Sequence, residues 1–348
     1  MKTMRIVLVS LLLCAFSGVM NAGEDNVVRI LAIGNSFSED AVEFYLHDIA
    51  AADGNNVIIG NMYIGGCSLK KHLDNARENK PAYKYRKIGL DGKKTETKDF
   101  TLEQALADEQ WDYVSFQQQS GQSGMYDTWK ESLPALVEYV KARVPENAEM
   151  VLHQTWAYAA SSTHKSFKKY GSDQVAMYNA IVDAVKKASK LTKIRMIIPS
   201  GTAVQNARNS IFEDNLTRDG YHLHRQYGRY TVACTWYETL FRKCVIGNAF
   251  LPKGMTSQQC LEAQKAAHAA VRKPHEVTKS PDCVSTAFAG TPPRTAYPWV
   301  WWHWIDGNIS KNGIRKDLLW MHEIGIAGLH QFDAAKSGVP KLVPEKIP

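Results

Sequence analysis

Five short apolar runs, separated by stretches of helical period, constrain this chain more than any other feature. They are Val27 to Ile33, Val57 to Ile64, Tyr113 to Phe116, Met150 to Thr155 and Ile194 to Pro199. Each has strand length and is rich in β-branched or aromatic residues. Between and after them lie helical patterns at Ala41 to Ala52, Leu133 to Arg143, Gln174 to Lys190 and Tyr227 to Lys243. In the third, Val175, Tyr178, Ile181, Val182 and Val185 fall on one stripe. Runs that are apolar throughout need cover on both faces, and alternation with helices supplies it. The expectation is an α/β fold with a parallel sheet between two helical layers. Ligands of such sheets bind beyond the carboxyl ends of the strands, so the residues that follow each run are the ones to read for chemistry. Lys80 to Asp99, polar and rich in Lys and Gly, has no apolar period and reads as an excursion that walls the pocket.

The ends differ in character. Lys2 and Arg5 precede an apolar run, Ile6 to Phe16, and small residues lead to Ala22 before Gly23-Glu24-Asp25. Residues 1–22 therefore read as a cleaved signal peptide that makes the protein secreted or periplasmic. The run falls short of the ~20 apolar residues of a spanning helix, so no stable membrane insertion is expected. A lipid anchor at Cys14 is the alternative, with the large Leu13 a poor fit before it. Removal of Lys2 and Arg5 takes the formal charge from +7 to about +5. Lys186, Lys187, Lys190 and Lys193 carry no interleaved aromatics, which argues against nucleic-acid binding. Attraction to an acidic polysaccharide is allowed but not demanded.

Export permits disulfides. Cys67, Cys234, Cys244, Cys260 and Cys283 make an odd set, in which Cys244 and Cys260 could bridge. There is no CxxC or Cys/His cluster, so a zinc site is not expected.

The strongest chemical signal is Leu31-Ala32-Ile33-Gly34-Asn35-Ser36-Phe37-Ser38. A buried strand ends in glycine and a serine stands where a helix begins, over N–H groups that favour negative charge. The bland reading is an N-cap serine, a part that Ser36 or Ser38 could play. A serine nucleophile needs a base. Asp219 and His222, three apart in Arg218-Asp219-Gly220-Tyr221-His222, supply an imidazole with a carboxylate to fix its tautomer. His224 is the rival base, but Tyr221 stands where its acid would be. Oxyanion donors are sought after the second and third strands, in Gly65-Gly66-Cys67-Ser68 and in Gln117-Gln118-Gln119-Ser120-Gly121.

These blocks, in this order, resemble the SGNH (GDSL) hydrolase superfamily, in a bacterial branch of unknown specific function. GNSFSEDA, GGCSLKKH, FQQQSG, HQTWAY and RDGYHL carry the resemblance, over residues 27 to 272. It implies a flavodoxin-like three-layer α/β/α sandwich with a five-stranded parallel sheet, in a domain spanning 23–273. It also implies a catalytic triad of Ser36, Asp219 and His222, and an oxyanion hole from the N–H of Ser36, Gly66 and an amide side chain. Gly65 is a near rival of Gly66. The superfamily usually has Asn where this chain has a glutamine run; Gln118 is taken as the donor, with Gln117 and Gln119 as alternatives. His153, Gln154, Trp156 and Tyr158 would line the pocket, with Trp156 and Tyr158 binding substrate. No cofactor and no metal are implied.

Pro274 to Arg294 has the Pro, Ser, Thr and Gly content of a linker, assigned to 274–296. Beyond it, Pro298 to Trp304 reads as a strand, Ser310 to Ile324 as an amphipathic helix, and Ala327 to Phe332 as another strand. This piece, 297–348, resembles the start of the (β/α) barrel of bacterial α-L-rhamnosidases of glycoside hydrolase family 106. It is too short to bury a core, and no glycosidase activity is assigned to it. The resulting expectation is a serine esterase that removes acyl groups, acetyl first, from carbohydrate, including pectic or rhamnose-containing polysaccharide. The alternatives are a lipid or arylester hydrolase on the same fold and a catalytically silent carbohydrate-binding domain.

Overall fold

The computed structural model describes residues 27–278, 298–305 and 310–334, in two units that divide between Ser280 and Pro281. The expected signal peptide, Cys14, Cys283 and most of the linker lie outside the described residues.

In the first unit the order is β1 (Val27–Gly34), α1 (Ser36–Val42), α2 (Leu46–Ala52), β2 (Asn56–Tyr63), α3 (Leu69–Arg77), β3 (Tyr83–Ile88), β4 (Lys94–Phe100), α4 (Leu102–Asp108) and β5 (Tyr113–Phe116). Then follow α5 (Tyr126–Lys130), α6 (Leu133–Lys141), β6 (Glu149–His153), α7 (Gln174–Thr192), β7 (Met196–Ile198), α8 (Ser200–Arg208), α9 (Tyr227–Phe241) and α10 (Ser257–Arg272). One sheet of seven strands takes the order β4-β3-β2-β1-β5-β6-β7. The five expected strands form its parallel part, β2-β1-β5-β6-β7, which is the flavodoxin-like order. Ile30, Leu31, Ala32 and Ile33 on β1 have no exposure at all. Burial of each Leu or Ile contributes ~1.5–3 kcal/mol.

The sheet has seven strands rather than five because Lys80 to Asp99 is no excursion. It forms the antiparallel hairpin β3–β4, which extends the sheet past β2. Tyr83, Tyr85 and Ile88 point inward while β4 stays exposed and charged, a composition that discourages pairing with a further strand. Tyr85 stacks on Phe100 at 4.8 Å. Gly60 on β2 lets Trp111 and Tyr85 close over the sheet, since a Cβ there would meet Trp111 at 2.8 Å.

The single helix expected over Ala41 to Ala52 is broken at 43–45 into α1 and α2. Glu43 explains the break, because its fully buried carboxylate accepts from Asn61 at 2.6 Å and pairs with Arg86 and Lys94. Helix α8 is buried along its whole length although Ser200, Thr202, Gln205, Asn206 and Arg208 are polar, so no contrast between an apolar and a solvated face marks it in sequence. The first linker residues pack down: Pro274 O accepts from Gln154 Nε2 and Thr202 Oγ1, and Thr278 N donates to Asn206 Oδ1. Cys67, Cys234, Cys244 and Cys260 are all free, so Cys244 and Cys260 are not bridged. No described helix is long and apolar enough to cross a membrane.

The second unit holds β8 (Trp299–Ile305), α11 (Lys311–Glu323) and β9 (Gly328–Ala334), with β8 and β9 parallel. Ser310 caps α11. The helix buries none of its residues, and Trp299, Trp301 and Trp320 are exposed, as expected of a strand-helix-strand piece too small for a core.

Candidate active site

Ser36 is the first residue of α1, two residues beyond the carboxyl end of β1. The cap is Asn35 rather than Ser36 or Ser38. Asn35 Oδ1 accepts from Phe37 N at 2.9 Å, and Asn35 Nδ2 donates to Cys67 O at 2.9 Å. Ser38 is buried, with its hydroxyl at 2.8 Å from both Asn35 O and Asn61 Oδ1. Ser36 is thus relieved of capping, half-exposed, and free for chemistry.

The loop that follows α8 folds back as a tight turn. Thr217 bridges Leu223, Arg218 N donates to His222 O, and Gly220 takes the left-handed φ of +85° that the turn requires. Inside it Asp219 Oδ1 accepts from the N–H of Tyr221 at 3.2 Å and of His222 at 2.7 Å. Asp219 Oδ2 stands 2.7 Å from His222 Nδ1, and His222 Nε2 stands 2.9 Å from Ser36 Oγ. An ionised carboxylate only accepts, so Nδ1 carries the proton and Nε2 is left to accept from the serine. Burial pushes the Asp219 carboxyl upward, but the hydrogen bonds from the His222 ring and from the N–H groups of His222 and Tyr221 outweigh it. The net result lies below the ordinary carboxylate value. His224 stacks on Tyr227 at 3.8 Å and is not at the serine.

Two backbone donors remain unspent, one on Ser36 itself and one in the loop that Asn35 ties to the start of α1. The N–H of Ser36 and that of Gly66 find no acceptor among the described residues. Gly66 is exposed, with a left-handed φ of +62°, and Asn35 ties its loop to the start of α1 through Cys67 O.

Gln118 cannot serve as the third donor. Its NH2 is committed to Thr128 O and Thr128 Oγ1, and its Oε1 accepts from Leu69 N and Gln119 N. Gln117 is also committed, between Asn35 Oδ1 and His153 Nδ1. Only Gln119 of the three is half-buried, with an amide that has no partner among the described residues.

The expected pocket lining is corrected too. Trp156 and Tyr158 have no exposure. Trp156 stacks on Phe37 at 4.2 Å and donates to Tyr221 O at 2.7 Å, bracing the turn from below. The Tyr158 hydroxyl meets Ser120 Oγ at 2.8 Å. His153 and Gln154 are equally buried. His153 Nε2 lies 2.9 Å from Ser200 Oγ and its Nδ1 2.7 Å from Gln117 Oε1. Burial pushes the His153 ring down to about 3. It joins Ser200 to a polar chain that runs through Gln117 to Asn35, the residue before the nucleophile.

Residues 29–270 match the family described as a domain of unknown function, DUF4886. The chain belongs to this family. A crystal structure of a DUF4886 family protein from Bacteroides uniformis is 54% identical, with a TM-score of 0.72, over 73% of this chain and 98% of that one. A structure from Slackia heliotrinireducens, described as a candidate SGNH hydrolase, is 24% identical over 62% of this chain and 100% of its own, with a TM-score of 0.44. Residues 290–348 match a family described as alpha-L-rhamnosidase. A curated protein of Formosa agariphila, named as a candidate beta-glucuronidase, is 49% identical over 43 residues, which are 12% of this chain and 4% of that protein.

In this DUF4886 domain the residue that sequence reading missed is Asp40. It is 1% exposed on α1, one turn beyond Ser36. Its Oδ1 accepts from Arg229 Nε at 2.8 Å and Nη2 at 2.7 Å. Its Oδ2 accepts from Arg218 Nη1 at 2.9 Å and from Leu223 N at 2.9 Å. Arg218 and Leu223 flank Asp219 and His222, so one carboxylate locks the nucleophile helix to the base turn. The available signal was an acid one helical turn after the serine and an Arg beside the acid–base pair.

Proposed function

We propose that this domain is a serine esterase that works through an acyl-enzyme, with Ser36 as nucleophile, His222 as general base and Asp219 as its orienting acid. The relay from Asp219 through His222 to Ser36, 2.7 Å and then 2.9 Å, carries this reading. In it, His222 Nε2 takes the hydroxyl proton as Ser36 Oγ attacks the ester carbonyl. The oxyanion forms against the N–H of Ser36, the N–H of Gly66 and the side-chain amide of Gln119. The imidazolium returns its proton to the leaving alcohol, and water then repeats the sequence to free the acid.

The substrate we propose is an acetylated carbohydrate, with rhamnose-containing polysaccharide as the first choice. Support comes from the stretch 290–348, which matches an α-L-rhamnosidase family in the same chain. Tyr221, half-exposed with its ring 4.2 Å from that of His222, offers the aromatic surface that Trp156 and Tyr158 do not. The test is acetate release from acetylated pectin fragments by the secreted protein and by Ser36→Ala, beside a series of aryl esters of rising acyl length. Acetate release that is lost in the variant supports the reading. Preference for long acyl chains would overturn the substrate class, and full activity in Ser36→Ala would overturn the chemistry.

A further inference from the structure

Sequence spacing offers no metal motif, yet the fold gathers one. Helix α9 ends at Arg242, whose left-handed φ of +56° swings the chain back over its own last turn. That brings Cys244 to Glu238 of α9 and His268 of α10. His268 Nδ1 lies 2.7 Å from Glu238 Oε1 and 3.5 Å from Cys244 Sγ. One ligand atom from each residue lies within 4.8 Å of the others. Both contacts converge on the same ring nitrogen. A Cys–His–acid proton relay would use the two nitrogens separately, whereas convergence on one point is the geometry of coordination.

We propose that Glu238, Cys244 and His268 bind a borderline transition-metal dication, zinc foremost, at a site separate from the esterase centre. Thiolate, imidazole and carboxylate are the zinc donor set, and the thiolate selects against magnesium and calcium. With Zn–S ~2.3 Å and Zn–N ~2.0 Å, tetrahedral geometry separates sulfur from nitrogen by about 3.5 Å. The observed separation is 3.5 Å. The Glu238–His268 pair must open from 2.7 Å to roughly 3.4 Å as the ion replaces the shared proton. Second contacts are present: Glu238 Oε2 accepts from Val245 N at 3.0 Å, and Gln264 Oε1 accepts from Gly247 N at 2.9 Å in the same loop.

Two of the neighbouring cations have partners elsewhere. Lys243 Nζ donates to Asn55 Oδ1 at 2.8 Å and Arg242 pairs with Glu149. Glu238 and Cys244 open onto a cavity of about 450 Å³, also lined by the cations Arg195, Arg242 and Lys243 and by His275, which gives water access to a fourth position. Arg195 and Met196 lie at the amino end of β7, whereas Ser36 follows the carboxyl end of the parallel β1. The ion would clip the end of α9 to α10.

Chelator-stripped protein titrated with zinc against a chromogenic competitor should bind one equivalent that Cys244→Ser and His268→Ala both lose. Cobalt(II) should give a sulfur-to-cobalt charge-transfer band, absent in Cys244→Ser. Cys244 is exposed, so that variant keeps its fold, and hydrolysis of an aryl acetate should be unchanged in it. Equal zinc stoichiometry in wild type and either variant, or a cobalt spectrum without the thiolate band, overturns the proposal.

Discussion

Replacing Asp40 with Asn should slow catalysis without touching substrate. The asparagine keeps one oxygen but presents an NH2 to a shell made only of donors: two guanidinium groups and Leu223 N. Breaking a buried pair from one side typically costs ~3–5 kcal/mol. The Arg218 side chain is 28% exposed and can turn to water, which places the loss near the lower figure, about 3 kcal/mol. For a domain of this size that is a drop in melting temperature of roughly 6–12 °C. The catalytic loss has a separate origin. Leu223 N loses a clean acceptor, and His222 is the next residue back. A shift of about 1 Å in the base costs on the order of 100-fold in rate. The assay is steady-state hydrolysis of a small aryl acetate well below the melting transition, beside a thermal melt. We expect kcat to fall about 100-fold with KM nearly unchanged, since the lost contact is not a substrate contact. A variant that melts lower but turns over at the wild-type rate would show that Asp40 only holds the fold, and would refute the positioning argument.

Gln119→Ala should lower kcat by about 100-fold or more, as removal of an oxyanion donor does, whereas Gln118→Ala should chiefly lower the melting temperature, because its amide joins α3, α5 and the loop after β5. For His153, pushed from 6.5 to about 3 by burial, the unfolded chain takes up a proton between those values and the folded one does not. Its contribution is therefore whole above pH 6.5 and shrinks as the pH falls, by ~1.4 kcal/mol per unit, or about 2 kcal/mol at pH 5. Chemical denaturation between pH 7 and pH 5 should show a shallower loss in His153→Gln than in wild type, and parallel slopes would contradict the assignment. Among the described cysteines, native alkylation should label Cys244 first, because Cys67, Cys234 and Cys260 are buried and burial pushes the Cys67 thiol up to about 12.

The layer order of the sheet was legible because β1, β2, β5, β6 and β7 are apolar on both faces and so announce a covered parallel sheet. The hairpin β3–β4 was not, because an edge strand such as Lys94–Phe100 is polar on both faces. Only Tyr83, Tyr85 and Ile88 betray its inner side. Within the site, the Asp219–His222 spacing was readable since both residues sit in one turn. The aromatic platform was misread because a Trp after a strand can turn inward, as Trp156 does under Phe37. The role of Gln118 was likewise out of reach, since only its Thr128 partner, on another helix, shows that the amide is spent. Asp40 escaped for the same reason. Its meaning lies in partners at positions 218, 223 and 229, which no local pattern brings together.

Covalent trapping probes the chemistry at its source. The protein is mixed with an activated acetate ester, quenched in acid during turnover, digested, and read by mass spectrometry. An acetyl group on the peptide bearing Ser36, and specifically on that oxygen, is what a nucleophile served by His222 must leave behind. An acetyl group carried only by other side chains, with hydrolysis intact in Ser36→Ala, would contradict it.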